Sequence, residues 1–126
     1  MTEPGSRNEA VIRAFVEAWS RLDPEELAGF FSEDGTYHNM PMGPVTGRDE
    51  VKRLIAGFTA AWTETEWDLV HIASEGDLVF TERLDRTKAG DKGVDLPCLG
   101  VFEMEGGKIK VWRDYFDLAT YQRGLG

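Results

Sequence analysis

The hydrophobic pattern of this chain changes period once, near Thr65, and that change sets the fold class. Before it, Val11, Ile12, Phe15, Val16 and Trp19 recur at helical intervals, predicting one amphipathic helix that ends near Leu22. Ser6-Arg7-Asn8-Glu9 has capping-box spacing. Asp23-Pro24-Glu25-Glu26 restarts helix at once: Asp23 can cap, Pro24 suits the first position, and the acids suit the positive dipole end. Leu27, Phe30 and Phe31 give this second helix its apolar side, and Gly35 stops it before a brief extended segment over 36–39. Met40-Pro41-Met42-Gly43-Pro44 can be neither helix nor central strand, because two prolines remove donors. Residues 46–49 should cap a third helix with the stripe Val51, Leu54, Ile55, Phe58 and Trp62.

After Thr65 the apolar residues alternate. Strands are predicted over 67–74, 78–87, 94–104 and 108–117, joined by Glu75-Gly76-Asp77, residues 89–93 and Glu105-Gly106-Gly107. Loops this short imply an antiparallel meander. Helices followed by a curled sheet make an α+β domain with a pocket between its layers. The 126 residues suffice for one such domain, with 1–6 expected as a loose end.

Charge narrows the partners. Asp+Glu number 23 against 14 Lys+Arg, a net charge of -9, so long-range repulsion opposes nucleic acid and anionic membranes. No apolar run reaches the roughly 20 residues of a membrane span. The first residues lack the basic start and apolar core of a secretion signal, and a single cysteine, Cys98, suits the cytoplasm.

Several chemistries are absent from the sequence. There is no dinucleotide fingerprint, phosphate loop or Gly-x-Ser-x-Gly elbow. His38 and His71 lie far apart without cysteine partners, so no metal site is expected. Cys98 inside a strand reads as a buried inert thiol, and His71, alternating with Trp67, Leu69 and Ala73, as a core histidine. Carboxylate, guanidinium, phenol and amide remain. Strand alternation puts Arg83 and Asp85 on one face, Asp114 on the face of Trp112 and Phe116, and Tyr37 with Asn39. The ordinary reading of Arg83 and Asp85 is a surface ion pair. The pattern favours it, since Leu78, Phe80 and Leu84 make the other face more apolar and so turn Asp85 outward.

Tyr37-His38-Asn39-Met40-Pro41, Glu82-Arg83-Leu84-Asp85 and Trp112-Arg113-Asp114-Tyr115-Phe116-Asp117, in that order, resemble the limonene-1,2-epoxide hydrolase family, as does the strand with Gly100-Val101-Phe102. The likeness runs from about Ala10 to Leu118. It implies the cone fold of the nuclear transport factor 2-like and SnoaL-like proteins, with N-terminal helices packed on a strongly curved, mixed, mostly antiparallel sheet. It also implies a homodimer, and hydrolysis of an apolar cyclic or terpenoid-like epoxide to a vicinal diol without metal or cofactor. By motif, Asp114 becomes the general base, Tyr37 and Asn39 help hold the water, Asp85 becomes the general acid, and Arg83 bridges the carboxylates. A dimer covering Phe80 and Leu84 would leave Asp85 facing the pocket. The segments before the first helix and after Asp117 look shorter than those that help close the pocket in the limonene enzyme. Leu54, Phe58, Leu69, Phe80, Leu99, Phe102, Trp112 and Phe116 are candidate pocket walls. The same fold also suits a ketosteroid-isomerase-like or polyketide-cyclase proton-transfer enzyme, or a non-catalytic binding domain.

Overall fold

The computed structural model describes residues 4–125. Helix α1 (Pro4–Ala18) runs into a 3-10 turn (Trp19–Arg21), and α2 (Pro24–Ala28) follows. Then come β1 (Phe31–Asn39), β2 (Pro44–Thr46), α3 (Arg48–Thr59), β3 (Glu64–Glu75), β4 (Leu78–Ala89), β5 (Lys92–Glu105), β6 (Lys108–Tyr115) and α4 (Leu118–Leu125). One six-stranded sheet has the order β2-β1-β6-β5-β4-β3. Strands β3 to β6 form the expected meander, and β1 joins β6 in parallel. The architecture is therefore the α+β, mostly antiparallel arrangement anticipated from the change of period.

Helix α1 turns Ile12, Phe15 and Val16 onto the sheet, and the 3-10 turn adds Trp19, all buried. Trp19 stacks on Trp67 at 4.2 Å, and Phe15 meets Trp112 edge-on at 5.1 Å. Trp112 is the hub of this layer, stacked on one side by Tyr37 at 4.2 Å and on the other by Phe102 at 5.2 Å. Val51 and Ile55 of α3 are buried against the same core, with Leu54, Phe58 and Trp62 half-buried beside them.

Several local expectations need correction. Pro4 to Ser6 begin α1 rather than dangling, so Ser6 lies inside the helix; residues 1–3 fall outside the described range. Asp23 does cap α2, its Oδ1 accepting from the Glu25 amide at 3.0 Å, but the helix stops at Ala28 and Phe31 opens β1. Pairing with β6 won over helical spacing there: the Ile109 amide donates to the Phe30 carbonyl at 2.9 Å. Pro44 starts β2, a three-residue edge strand where a missing donor is harmless. Gly47, not a polar side chain, stands at the start of α3. His71 is exposed, not core: a bulge between Leu69 and His71 shifts the strand's phase and leaves it bonded to Glu82 at 2.8 Å. A further helix, α4, follows β6, started by Asp117, whose Oδ2 accepts from the Thr120 amide at 3.0 Å.

Candidate active site

Strand register explains how distant residues meet. Asn39 pairs with Asp114 across the parallel β1–β6 seam, and Asp114 pairs with Gly100 on β5. Gly100 in turn pairs with Thr81 on β4, while Arg83 faces Cys98 and Asp85 faces Leu96. With a side-chain period of two, all these residues share the inner face, under the helices.

Arg83 lies on β4 and Asp114 on β6, so the guanidinium must cross β5 to reach it. Gly100 permits the crossing. A Cβ there would stand 2.8 Å from Arg83 Nη1, 2.8 Å from Thr81 Oγ1 and 3.0 Å from Trp112 Nε1, so a side chain would displace the guanidinium. Over that bare backbone Arg83 donates from Nε to Asp85 Oδ1 at 3.0 Å and from Nη2 to Asp85 Oδ2 at 2.9 Å. The same Nη2 donates to Asp114 Oδ2 at 2.9 Å, and Nη1 reaches Thr81 Oγ1 at 3.3 Å. The guanidinium carbon sits 4.5 Å from the centre of the Trp67 ring, which fixes its plane from the other side.

This cluster is dry. Arg83 is 1%, Asp114 3% and Asp85 5% exposed. A buried charge without a partner would be costly; here one guanidinium serves two carboxylates. Burial lifts Asp114 from 3.8 to about 6, with Arg83 opposing the shift and Asp85 adding to it. Burial, reinforced by Asp114, also raises Tyr37 well above its usual range, so its hydroxyl keeps its proton and can donate; Arg83 and a hydrogen bond with Asn39 pull the other way. One oxygen stands out. Asp114 Oδ1 is buried and has no hydrogen-bond partner among the described residues.

A cavity of about 220 Å³ opens onto the cluster. Tyr37, Asn39, Asp85 and Asp114 all line it, so the five positions singled out in the sequence lie together: four in the wall and Arg83 behind two of them. Of the eight proposed wall residues, Phe58 and Phe116 line it. Phe102 and Trp112 are instead fully buried behind it, and Leu54 and Leu69 pack beside the core. Phe80 and Leu99 are corrections: they stand on the outer face, 37% and 48% exposed, because their positions are out of phase with Arg83, Asp85 and Cys98.

Other wall residues were not anticipated. Trp67 and Leu96 come from strands whose inward parity already marked them, whereas Leu118, Tyr121 and Gln122 come from α4. Asp117 ahead of Leu118 and Ala119 was the available signal for that helix. Tyr121 takes a hydrogen bond from Trp62. The tail after Asp117 thus closes one side of the cavity. Donor atoms of Asp85, Cys98 and Asp114 lie within 4.8 Å of one another, but the Arg83 guanidinium already supplies the positive charge a metal ion would bring.

The limonene-1,2-epoxide hydrolase catalytic-domain pattern matches residues 6–125, and the chain belongs to that family. It is 29% identical over 114 residues to the epoxide hydrolase EphG of Mycobacterium tuberculosis, covering 90% of this chain and 76% of EphG. A solved structure of an M. tuberculosis epoxide hydrolase of the same type superposes with a TM-score of 0.84 at 27% identity, covering 98% of this chain and 92% of that one. The chain is also 25% identical over 129 residues to the monooxygenase AacuO of Aspergillus aculeatus, covering 97% and 81%. The cone is the one shared by nuclear transport factor 2-like and SnoaL-like proteins. Among the described residues no helix is long and apolar enough to cross a membrane.

Proposed function

We propose that this chain adds water to a small apolar epoxide in one step, giving a vicinal diol, with every catalytic group supplied by its own side chains. The observation that carries the reading is the single guanidinium shared by two buried carboxylates at the wall of an apolar cavity.

An epoxide opens slowly in neutral water because its alkoxide is a poor leaving group and water is a weak nucleophile. An acid and a base on either side meet both difficulties, each contributing about 10²–10⁴-fold. Asp114 is the base: its unpartnered Oδ1 can accept a proton from water, and a carboxyl lifted to about 6 is a better base than one at 3.8. Tyr37 and Asn39, beside it across the β1–β6 seam, orient that water. Asp85 is the acid and delivers a proton to the epoxide oxygen as the C–O bond breaks. With one proton on the carboxylate pair and Arg83 positive, the cluster is neutral, which suits its burial. Arg83 holds both oxygens of Asp85 and one of Asp114, fixing their spacing.

We further propose a cytoplasmic homodimer joined through the outer face of the sheet, where Val70, Phe80, Leu99 and Tyr115 are exposed. The direct test offers cyclic, terpenoid and styrene-type epoxides in ¹⁸O-water. Diol carrying solvent oxygen, lost in folded Asp85→Asn and Asp114→Asn variants, supports the reading. No diol across the panel, or label in a protein carboxylate after one turnover, contradicts it.

A further inference from the structure

Cys98 has no part in the proposed reaction, yet it stands within it. The residue lies on β5 opposite Arg83, lines the cavity, and is only 5% exposed, so reagents reach it from the cavity side. Its sulfur and one oxygen from each of Asp85 and Asp114 all lie within 4.8 Å of one another. In the same wall, Asp114 Oδ1 is buried and unpartnered among the described residues, an acceptor open to a donor from a water or a ligand in the cavity. A small ring held between the two carboxylates therefore has its carbons in contact range of the Cys98 sulfur.

We propose that Asp85 and Asp114 also protect Cys98 from alkylation, and that Cys98 becomes a covalent modification site for small uncharged electrophiles once that protection is removed. The inference rests on the epoxide reading for its natural electrophile. The reaction to be avoided is simple: thiolate sulfur attacks a ring carbon, a C–S bond forms and the C–O bond breaks. The proton given up by the thiol ends on the alkoxide, leaving a β-hydroxy thioether with no oxidant consumed. Only the thiolate is a competent nucleophile. Here it would be a further anion in a dry site whose one positive charge, Arg83, is already matched by the carboxylate pair. Burial, then Asp85, then Asp114 push the thiol far above its usual range, against the opposing pull of Arg83. The thiol keeps its proton, with the Leu96 carbonyl at 3.5 Å and the Asp85 carboxyl as its acceptors. Replacing both carboxyl groups leaves Arg83 without a counter-charge and turns its field toward stabilising thiolate.

The test uses the full chain, whose single cysteine makes an intact-mass shift unambiguous. N-ethylmaleimide and styrene oxide are each incubated with wild type, Asp85→Asn, Asp114→Asn and the double variant, all shown to be folded by circular dichroism. Cys98→Ser identifies the labelled site, and Asp114→Ser stands in should the Asn variant fail to fold. The double variant should be labelled about tenfold faster than wild type, since each unit off the thiol pKa is tenfold in thiolate, whereas each single variant keeps one carboxylate against Arg83 and should differ little. Equal rates in all folded proteins overturn the proposal, whether or not any epoxide yields diol. Because maleimide needs no turnover, a panel without diol but with this order of labelling rejects the proposed substrate and keeps the protection.

Discussion

The two faces of β4 are built on opposite rules. Its inner face carries Val79, Thr81, Arg83, Asp85 and Thr87, four of them polar, and all are buried. Its outer face carries Phe80 and Leu84, yet Phe80 is 37% exposed and Leu84 is only half-buried. Hydrophobic patterning assigns the apolar side to the core. Here that side is the reverse one, because the inner side is reserved for charges that a single arginine and an overlying tryptophan make tolerable. A strand whose polar residues are buried and mutually bonded points to chemistry; a strand whose apolar residues are left outside points to a partner.

The sharpest way to break this contrast is to remove the inner charge. Asp114→Asn should lower kcat about a thousandfold or more while the fold persists, measured as diol formed per chain with near-UV circular dichroism as the control. Unchanged turnover would reduce the buried cluster to a structural network. Next comes Gly100→Ala, at a position that supplies no reacting group itself. Its Cβ would meet Arg83 Nη1 at 2.8 Å, so the guanidinium must shift, and about a hundredfold loss of kcat is expected with KM changed little.

The inner face should also show in stability. Asp114 titrates near 6 when folded and near 3.8 when unfolded, so the folded chain holds the extra proton between those values. This stabilising contribution is complete below about pH 4 and is lost as pH rises through 6, on the order of 2–3 kcal/mol. Chemical denaturation of wild type between pH 4 and 7 should show the fall, and Asp114→Asn should lack that segment. The smallest expected effect on turnover belongs to the outer face. Leu99→Lys should shift a dimer to monomer in sedimentation at micromolar concentration, with kcat changed by no more than about threefold, since outer contacts do not reach the reacting groups. A monomeric wild type would leave Phe80 and Leu99 without the role proposed for them.

Much of this was legible in the residues. The period change gave the helices and meander, and Asp23-Pro24 gave the start of α2 with its cap. The motif order brought Tyr37, Asn39, Arg83, Asp85 and Asp114 to one place, although alternation alone turned Asp85 outward. Other features depended on long-range pairing. Phe31 satisfies a helical stripe as well as it does a strand, and only β6 decides between them. His71 left the core through a bulge that no local spacing announces. Helix α4, which walls the cavity, was hidden because the last strand was expected to run on to Asp117, the residue that caps the helix; within it Gly124 packs against Val94 and the Gly93 carbonyl, where a Cβ would meet Val94 Cβ at 2.5 Å.

The parallel seam between β1 and β6 has a consequence for how this protein is made. It brings Asn39 beside Asp114, joining the first long strand to the last, so neither flank of the water site exists until the final hairpin docks. Contacts so distant along the chain form late and slowly. A nascent or partly folded molecule would thus carry arginine and aspartate on β4 without the opposing carboxylate, and would be chemically silent. Turnover, once it appears during refolding, reports that the whole sheet has zipped shut.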